Sequence, residues 1–354
     1  MSTPTPEQKI ASEISSLQSR LGRLQDGVRL SRARDALEDT QTKIKGLPIR
    51  IKKLREAGYA FEKELETQAE DFVRQWMALN PSLVSSANQQ AASLQAALRP
   101  LEAQMTQLAA LKSNPTAARP AIDTLAAGMQ MLEDKVLAAE RQISGMYNTL
   151  NSQVSTFIGR LSRVEWMLTQ LAEAKFTLRP TESGIMAVKA VWCKDVKERP
   201  EDPDGVLYLT DQRLIFEQKE EIATKKVLFI TTAKEKVQAL LWEAPVALVE
   251  DVKPSKQGML KNEDHLDLRF GPSAPVQTVH LHIWQEGSEW VQLINRAKTR
   301  DFDQTRALKI DEAAQEKVES APSQCPSCGA NITQVVLRGM DSIKCEYCGY
   351  IIRL

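Results

Sequence analysis

Residues 205–216 read Gly-Val-Leu-Tyr-Leu-Thr-Asp-Gln-Arg-Leu-Ile-Phe, two runs of large apolar residues that meet at Thr210-Asp211. Thr and Asp side chains hydrogen-bond to nearby backbone and so favour a turn. Leu214 and Phe216 stand two apart and therefore share one face of the returning strand. The stretch predicts an antiparallel hairpin whose residues build a core and are not a site. Similar runs lie on either side of it: IMAVKAVWC (185–193), KKVLFIT (225–231), ALLWEA (239–244), ALVEDV (247–252), HLDLRF (265–270) and VQTVHLHIW (276–284). These are short, β-branched or aromatic, and parted by polar or Pro/Gly turns. Strands with no helix between them predict a small antiparallel barrel or sandwich. After Glu286-Gly287, Ser288 can cap a helix in which Trp290, Leu293, Ile294 and Ala297 form one apolar face.

The hairpin resembles the signature of GRAM and related bacterial pleckstrin-homology-like domains, carried by Gly205, Leu207, Leu209, Thr210, Arg213, Leu214 and Phe216. The resemblance spans 177–300. It implies a binding module, used by some relatives for phosphoinositides and by many for protein. Lipid-binding members gather Lys and Arg between the first two strands, and this chain departs from that. Residues 193–204, CKDVKERPEDPD, hold three basic against five acidic side chains. Such a loop repels a phosphorylated headgroup, which leaves the exposed barrel surface as an expected protein contact.

Residues 1–176 follow a different period. Ile10, Ile14, Leu17, Leu21, Leu24 and Val28 alternate steps of four and three, the mark of a coiled-coil seam. A second run passes through Leu47, Ile51, Leu54, Phe61, Leu65, Phe72, Trp76 and Leu79, and a third through Leu94, Leu98, Leu101, Met105 and Leu108. The longest extends from Ile122 to Leu171, and its order of steps reverses once, at Leu150–Val154–Phe157. With breakers at Gly46/Pro48, Asn80-Pro81 and Asn114–Pro120, the pattern predicts helices over 6–45, 49–79, 82–112 and 120–176, with a kink at Pro100. Short connections suit antiparallel packing within one chain, and the same seam suits a homo-oligomer.

Forty-six Lys plus Arg balance 46 Asp plus Glu, so no chain-wide field draws the protein to nucleic acid or anionic lipid. No uncharged run is apolar enough for a transmembrane span, and the opening MSTPTPEQK lacks a secretory signal. Both point to the cytoplasm. Charge is unbalanced in one place: 29–55 carries nine basic and three acidic residues. Within it Lys43, Lys45, Arg50, Lys52, Lys53 and Arg55 are candidates for contact with an anionic surface, such as the inner face of a membrane. The other reading is a solvated helix face.

Four of the five cysteines fall in the last 30 residues. Cys325-Pro-Ser-Cys328-Gly and Cys345-Glu-Tyr-Cys348-Gly are matched Cys-x-x-Cys turns, sixteen residues apart, within the spacing of a zinc site. Two intervening residues let each turn aim both sulfurs at one tetrahedral ion. The following glycine lets amides approach those sulfurs. The segment 323–354 resembles the zinc-ribbon class, with Cys325, Cys328, Cys345 and Cys348 in the ligand positions. Four cysteines close the coordination sphere, so the single Zn2+ is expected to be structural. Around it Arg338, Lys344 and Arg353 oppose Asp341 and Glu346, with Tyr347 and Tyr350 as stacking residues, a slight nucleic-acid footprint.

Other chemistry is sparse. His280 and His282 share a strand face, but with no adjacent ligand motif they read as core or half-exposed residues. Cys193 reads as a small buried apolar residue. Phosphate loops, nucleophile elbows and His-Glu-x-x-His motifs are absent.

The expected architecture is thus multidomain α plus β. An antiparallel helical coiled coil (1–176) precedes a pleckstrin-homology-like barrel with a C-terminal helix (177–300), a charged linker (301–322) on which the ribbon can swing, and a zinc ribbon (323–354). The expected function is a non-catalytic cytosolic scaffold that binds partner proteins. Peripheral association with anionic membranes and nucleic-acid binding remain as alternatives.

Overall fold

The computed structural model describes residues 5–112, 114–195, 198–227, 230–258, 262–310 and 312–354. Sequence readings that touch positions outside these are Leu228 and Phe229 of the predicted strand at 225–231, Val196 and Lys197 of the acidic loop, the first four residues of the opening MSTPTPEQK, and Asp311 of the linker. The chain is α plus β and divides into two compact units, one of residues 1–48 and 67–158, the other of 49–66 and 159–354.

The helices are α1 (Pro6–Gly27), α2 (Ser31–Glu56), α3 (Leu65–Ala109), α4 (Pro115–Gly145) and α5 (Asn148–Ala172). Thr5 caps α1 reciprocally with Gln8, and Pro6 occupies its first turn, where a missing N–H removes no bond. Asn114 accepts from the amide of Ala117 to start α4.

Boundaries differ from expectation in an instructive way. Pro48 lies inside α2 and Pro81 inside α3, although an internal proline loses a backbone bond. The apolar stripe outweighs that loss: Ile44 and Leu47 are buried before Pro48 and Ile51 and Leu54 after it, while Leu83 and Ala87 are buried past Pro81. Chain breaks occur instead at 28–30, where Leu30 adopts φ 55°, and at 57–64, where Gly58 has φ 92° and Glu62 φ 55°. The long final helix also breaks, at Met146–Tyr147. There Tyr147 enters the core while Met146 stays exposed, so the reversed step at Leu150–Val154–Phe157 marks a real shift of the stripe.

In the first unit Arg119 reaches Glu13, and Arg20 reaches both Gln130 and Glu133, so α1 and α4 run parallel. Gln25 with Glu102, Arg34 with Asn88, and Gln90 with Gln142 set α3 antiparallel to both. The expectation of antiparallel neighbours thus holds for α3 alone, because the break at 28–30 does not reverse the chain. A continuous buried set from Ile10 through Leu83 and Leu125 to Val154 fills the space between.

In the second unit seven strands form one antiparallel sheet: β1 (Gly184–Cys193), β2 (Asp204–Thr210), β3 (Arg213–Val227), β4 (Ile230–Pro245), β5 (Val249–Gln257), β6 (Glu263–Phe270) and β7 (Thr278–Ile283). The order is β4-β3-β2-β1-β7-β6-β5. Among the described residues no pairing joins β4 to β5, so the expected barrel is open in its hydrogen bonding. The run at 225–231 is no separate strand: its first residues end β3 and its last begin β4. ALLWEA belongs to β4 as well. The core stacks Phe216 on Trp242 with Trp192 and Phe270 at their edges. Helix α6 (Gly287–Lys298) adds Trp290, Ile294 and Ala297, all buried.

Residues 301–322 are no free tether. Helices α7 (Asp301–Gln304) and α8 (Glu312–Glu319) lie in this segment. The amides of Lys63 and Ala307 donate to Thr305 and Ala60 respectively. Phe61, fully buried, meets Phe302 edge-on at 5.5 Å and carries the Arg306 guanidinium 4.8 Å above its ring. Phe61→Leu keeps most of the volume but loses both ring interactions. It should cost about 1–2 kcal/mol, read as a lower urea midpoint at unchanged slope.

Candidate metal centre

The last thirty residues form β8 (Ser342–Lys344), β9 (Ile351–Arg353) and two turns. The Gly329 amide donates to the Cys325 carbonyl at 2.8 Å, and the Gly349 amide to the Cys345 carbonyl at 2.9 Å. Both glycines hold left-handed backbone, φ 73° and 76°, which L side chains rarely adopt. Each Cys-x-x-Cys-Gly therefore closes into the same tight loop. Cys325, Ile343, Cys345 and Ile352 are buried together, with Ile332, Val336, Met340 and Leu354 around them.

The four sulfurs converge. Cys325 Sγ lies 3.7 Å from Cys348 Sγ, and Cys328 Sγ 3.7 Å from Cys345 Sγ. A disulfide holds its sulfurs at about 2.05 Å, so these are separate thiols. Bonds of about 2.3 Å to a tetrahedral zinc ion place sulfurs about 3.8 Å apart, and the observed separations fit. The set is compatible with a zinc site. Amides of Cys348 and then Tyr347 hold the Cys345 thiol down to about 7. At Cys328 the Ala330 amide also favours thiolate, but hydrogen bonding with Cys348 and the other thiols prevails and pushes the group up to about 12. Four thiols in one small volume compete for the same amide dipoles, and a dication removes that competition by binding all four as thiolates.

The ribbon segment is docked on the sheet through a residue that composition alone placed in a nucleic-acid footprint. Arg338 is buried and pairs with Asp211 and, at 3.6 Å, with Asp303. Asp211 also takes Arg306 at 2.6 Å and the Ser183 amide at 3.0 Å. Gly339, at φ 79°, brings its backbone so close to Pro180 that an added Cβ would lie 2.6 Å from the Pro180 oxygen. Beside this lies a second buried ion pair, Arg213 with Glu182 at 2.6 Å, joined by Thr210 and Glu243. The hairpin turn 210–213 is thus core, as its sequence suggests. What sequence reading missed is its partner set, because Arg306 and Arg338 lie about a hundred residues away and nothing local marks them.

The six basic candidates on α2 are placed as follows. Lys43 pairs with Asp39 at 2.5 Å, Arg50 with Glu165 at 2.5 Å, Lys52 with Glu56 at 3.8 Å and Arg55 with Glu66 at 2.8 Å. Arg55 also donates to the carbonyls of Tyr59, Phe61 and Glu62. Lys45 and Lys53 are exposed.

All three histidines meet on β6 and β7. His265 lies 3.0 Å from His280 by their ring nitrogens, and its ring stacks on His282 at 4.8 Å. Asp267 and Glu198 contact His280 and His282 respectively, at 2.7 and 2.5 Å. Burial, then the neighbouring His280 and His282, pushes the His265 imidazole down to about 4. A histidine depressed in the folded state binds its proton more readily when unfolded. Stability is therefore full above the unfolded value of about 6.5 and is lost as pH falls toward 4, by up to about 3 kcal/mol. His265→Gln should flatten the melting temperature between pH 6.5 and 4.5, whereas the wild type declines. Burial likewise pushes the Cys193 thiol up to about 11, so it is no activated nucleophile.

Among the described residues no helix is long and apolar enough to cross a membrane. No family model matches the sequence, and no curated protein matches it. Solved structures similar to parts of the chain include a DUF1696 family protein with a pleckstrin-homology domain from Shewanella loihica PV-4. It is 13% identical, with 38% of this chain and 92% of that one covered at a TM-score of 0.21. The DH/PH domains of PDZ-RhoGEF, solved in complex with GTP-γ-S-activated RhoA, are 14% identical over 84% of this chain and 96% of that one, TM-score 0.22. Those of p115-RhoGEF are 15% identical over 84% and 95%, TM-score 0.21. Scores of that size do not establish a shared fold.

Proposed function

We propose that the chain is a non-catalytic cytosolic scaffold that binds partner proteins through three modules: a coiled coil over 1–176, a pleckstrin-homology or GRAM-like module over 177–300 and a structural zinc ribbon over 323–354, with 301–322 as the linking segment. The observation that carries this is the four-thiol set. Four sulfurs within 4.8 Å of one another, two pairs of them at 3.7 Å, would fill every position on a zinc ion, leaving none for water or substrate. Such an ion holds a surface in shape. That surface presents three large apolar groups to solvent among charged neighbours: Tyr347 is 72% exposed, Ile351 62% and Tyr350 49%. Aromatic and aliphatic groups grouped on a small rigid domain suit contact with protein.

The test uses the full chain in its native cell, with proximity labelling by wild type and by Tyr347→Ala/Tyr350→Ala/Ile351→Ser. Partners labelled by the wild type should be lost from the variant while zinc content is unchanged. An identical labelled set would end the ribbon-surface reading.

Four of the six basic candidates on α2 already face carboxylates, which supports the solvated-face reading over a lipid contact. Accordingly, Lys45→Glu/Lys53→Glu should leave co-sedimentation with phosphatidylserine vesicles within about twofold of wild type. A drop of tenfold or more would favour membrane association, since each basic residue near an anionic surface contributes about 1 kcal/mol.

A further inference from the structure

The register of three strands gathers chemistry that the sequence scatters. Cys193 on β1 stands opposite His280 on β7, which stands opposite Asp267 on β6. His265 stands opposite His282 one alternation further along. Directly paired residues, and residues two apart on one strand, project from the same face of a sheet. One thiol and all three imidazoles of the chain therefore share a face. Cys193 Sγ and a ring nitrogen each from His265 and His280 lie within 4.8 Å of one another.

The protons on this face do not close. His280 Nδ1 is 2.7 Å from Asp267 Oδ1, so in the neutral ring it carries the hydrogen there and leaves Nε2 as a lone pair. His265 Nδ1, 3.0 Å from that Nε2, must then donate. The side-chain amide of Gln257 approaches the same Nε2 at 3.3 Å. By elimination His265 Nε2 is a bare acceptor, and it is buried without a hydrogen-bond partner in a residue 1% exposed. The Glu263 carboxylate, another acceptor, lies 4.0 Å from it. Buried polar atoms are rarely left so.

The geometry points to a second metal site, in which Cys193, His265 and His280 bind a first-row divalent ion that favours thiolate and imidazole, zinc being one. The ion takes the place of the hydrogen shared by His265 Nδ1 and His280 Nε2, and the His265 proton moves to Nε2, where Glu263 can accept it. His280 keeps its Nδ1–H on Asp267, the carboxylate–histidine arrangement that orients metal-bound imidazoles. The Cys193 thiol releases its proton to solvent, so binding frees one proton per ion. Tetrahedral zinc separates two ligand nitrogens by about 3.3 Å, which the rings reach from 3.0 Å by a small parting. Asp267 acts as a positioning residue. Three protein ligands leave a fourth position for water or for the Gln257 amide oxygen, unlike the closed four-thiol set.

The test uses full-length protein without a histidine tag, stripped of metal and dialysed against zinc. Wild type should hold two zinc ions per chain, and His280→Asn and Cys193→Ala one each, while His282→Asn keeps two. Because the chain has only three histidines, long-range 1H–15N spectra of the wild type resolve each imidazole independently of any variant's folding. Zinc should shift the nitrogens of His265 and His280 and convert His265 to its Nε2–H form. Imidazole spectra unchanged by zinc would overturn the proposal, whatever the stoichiometry. A ribbon that failed to bind would instead give one zinc per chain with the imidazole shifts intact.

Discussion

Replacing Cys345 with Ser is expected to unfold residues 323–354 and lower the zinc content by one ion per chain relative to the wild type, and stripping all zinc with a strong chelator should unfold the same segment. The segment has two strands of three residues each, and the fully apolar side chains it buries around the thiols are those of Ile343 and Ile352. Burial of two such side chains offsets only a small part of the entropy lost in ordering the backbone. Some thirty residues cannot fold on that balance alone. Structural zinc contributes roughly 10–16 kcal/mol in comparable peptides, and the sulfur separations fit it. Hydrogen exchange reads the result directly. The Gly329 and Gly349 amides, each bonded to the carbonyl of the first cysteine in its turn, should exchange slowly with zinc and at near-unfolded rates without it. Equal protection in both states would mean that the thiols do not hold a metal and that packing alone shapes the ribbon.

How much of this was legible depends on the range over which each signal acts. The convergence of the four thiols was readable because Cys-x-x-Cys-Gly is local: two residues set the sulfur spacing, and the glycine supplies the left-handed backbone seen at Gly329 and Gly349. The hairpin at 205–216 was readable for the same reason, with Thr210 accepting from the Gln212 and Arg213 amides in the turn. Helix ends were less so. Proline propensity pointed to breaks at Pro48 and Pro81, but buried apolar neighbours carry both helices onward, a tertiary effect outside local propensity. Least legible was whatever needs strand register. Nothing near His280 announces Cys193 or His265, since pairing of β1 and β6 with β7 alone brings them together. The supposed tether failed similarly: its charges look solvated until Arg306 is seen buried beside Asp211.

That last contact supports the other large effect. Asp211→Ala should destabilise the second unit severely and free the ribbon segment from the sheet. The Asp211 side chain is 3% exposed and compensates two buried guanidiniums, Arg306 and Arg338, while also accepting the Ser183 amide. Burial raises the Asp211 carboxyl above its usual range, with Arg338 the largest opposing influence and Arg306 adding to it, so the charge is held only by its partners. Breaking one buried pair costs about 3–5 kcal/mol because an uncompensated charge remains. Here two guanidiniums are left to share Asp303, 3.6 Å from Arg338 and 4.0 Å from Arg306, and a loss of about 5 kcal/mol is expected. Apolar replacement of all three groups, Asp211→Leu/Arg306→Met/Arg338→Met, should recover most of that loss, since a well-packed apolar set often matches a buried ion network. If Asp211→Ala melts within about 1 °C of wild type and residues 309–322 resist protease as before, then the ion network does not anchor the ribbon. If instead the triple variant is the less stable of the two, the network holds the ribbon by more than charge compensation.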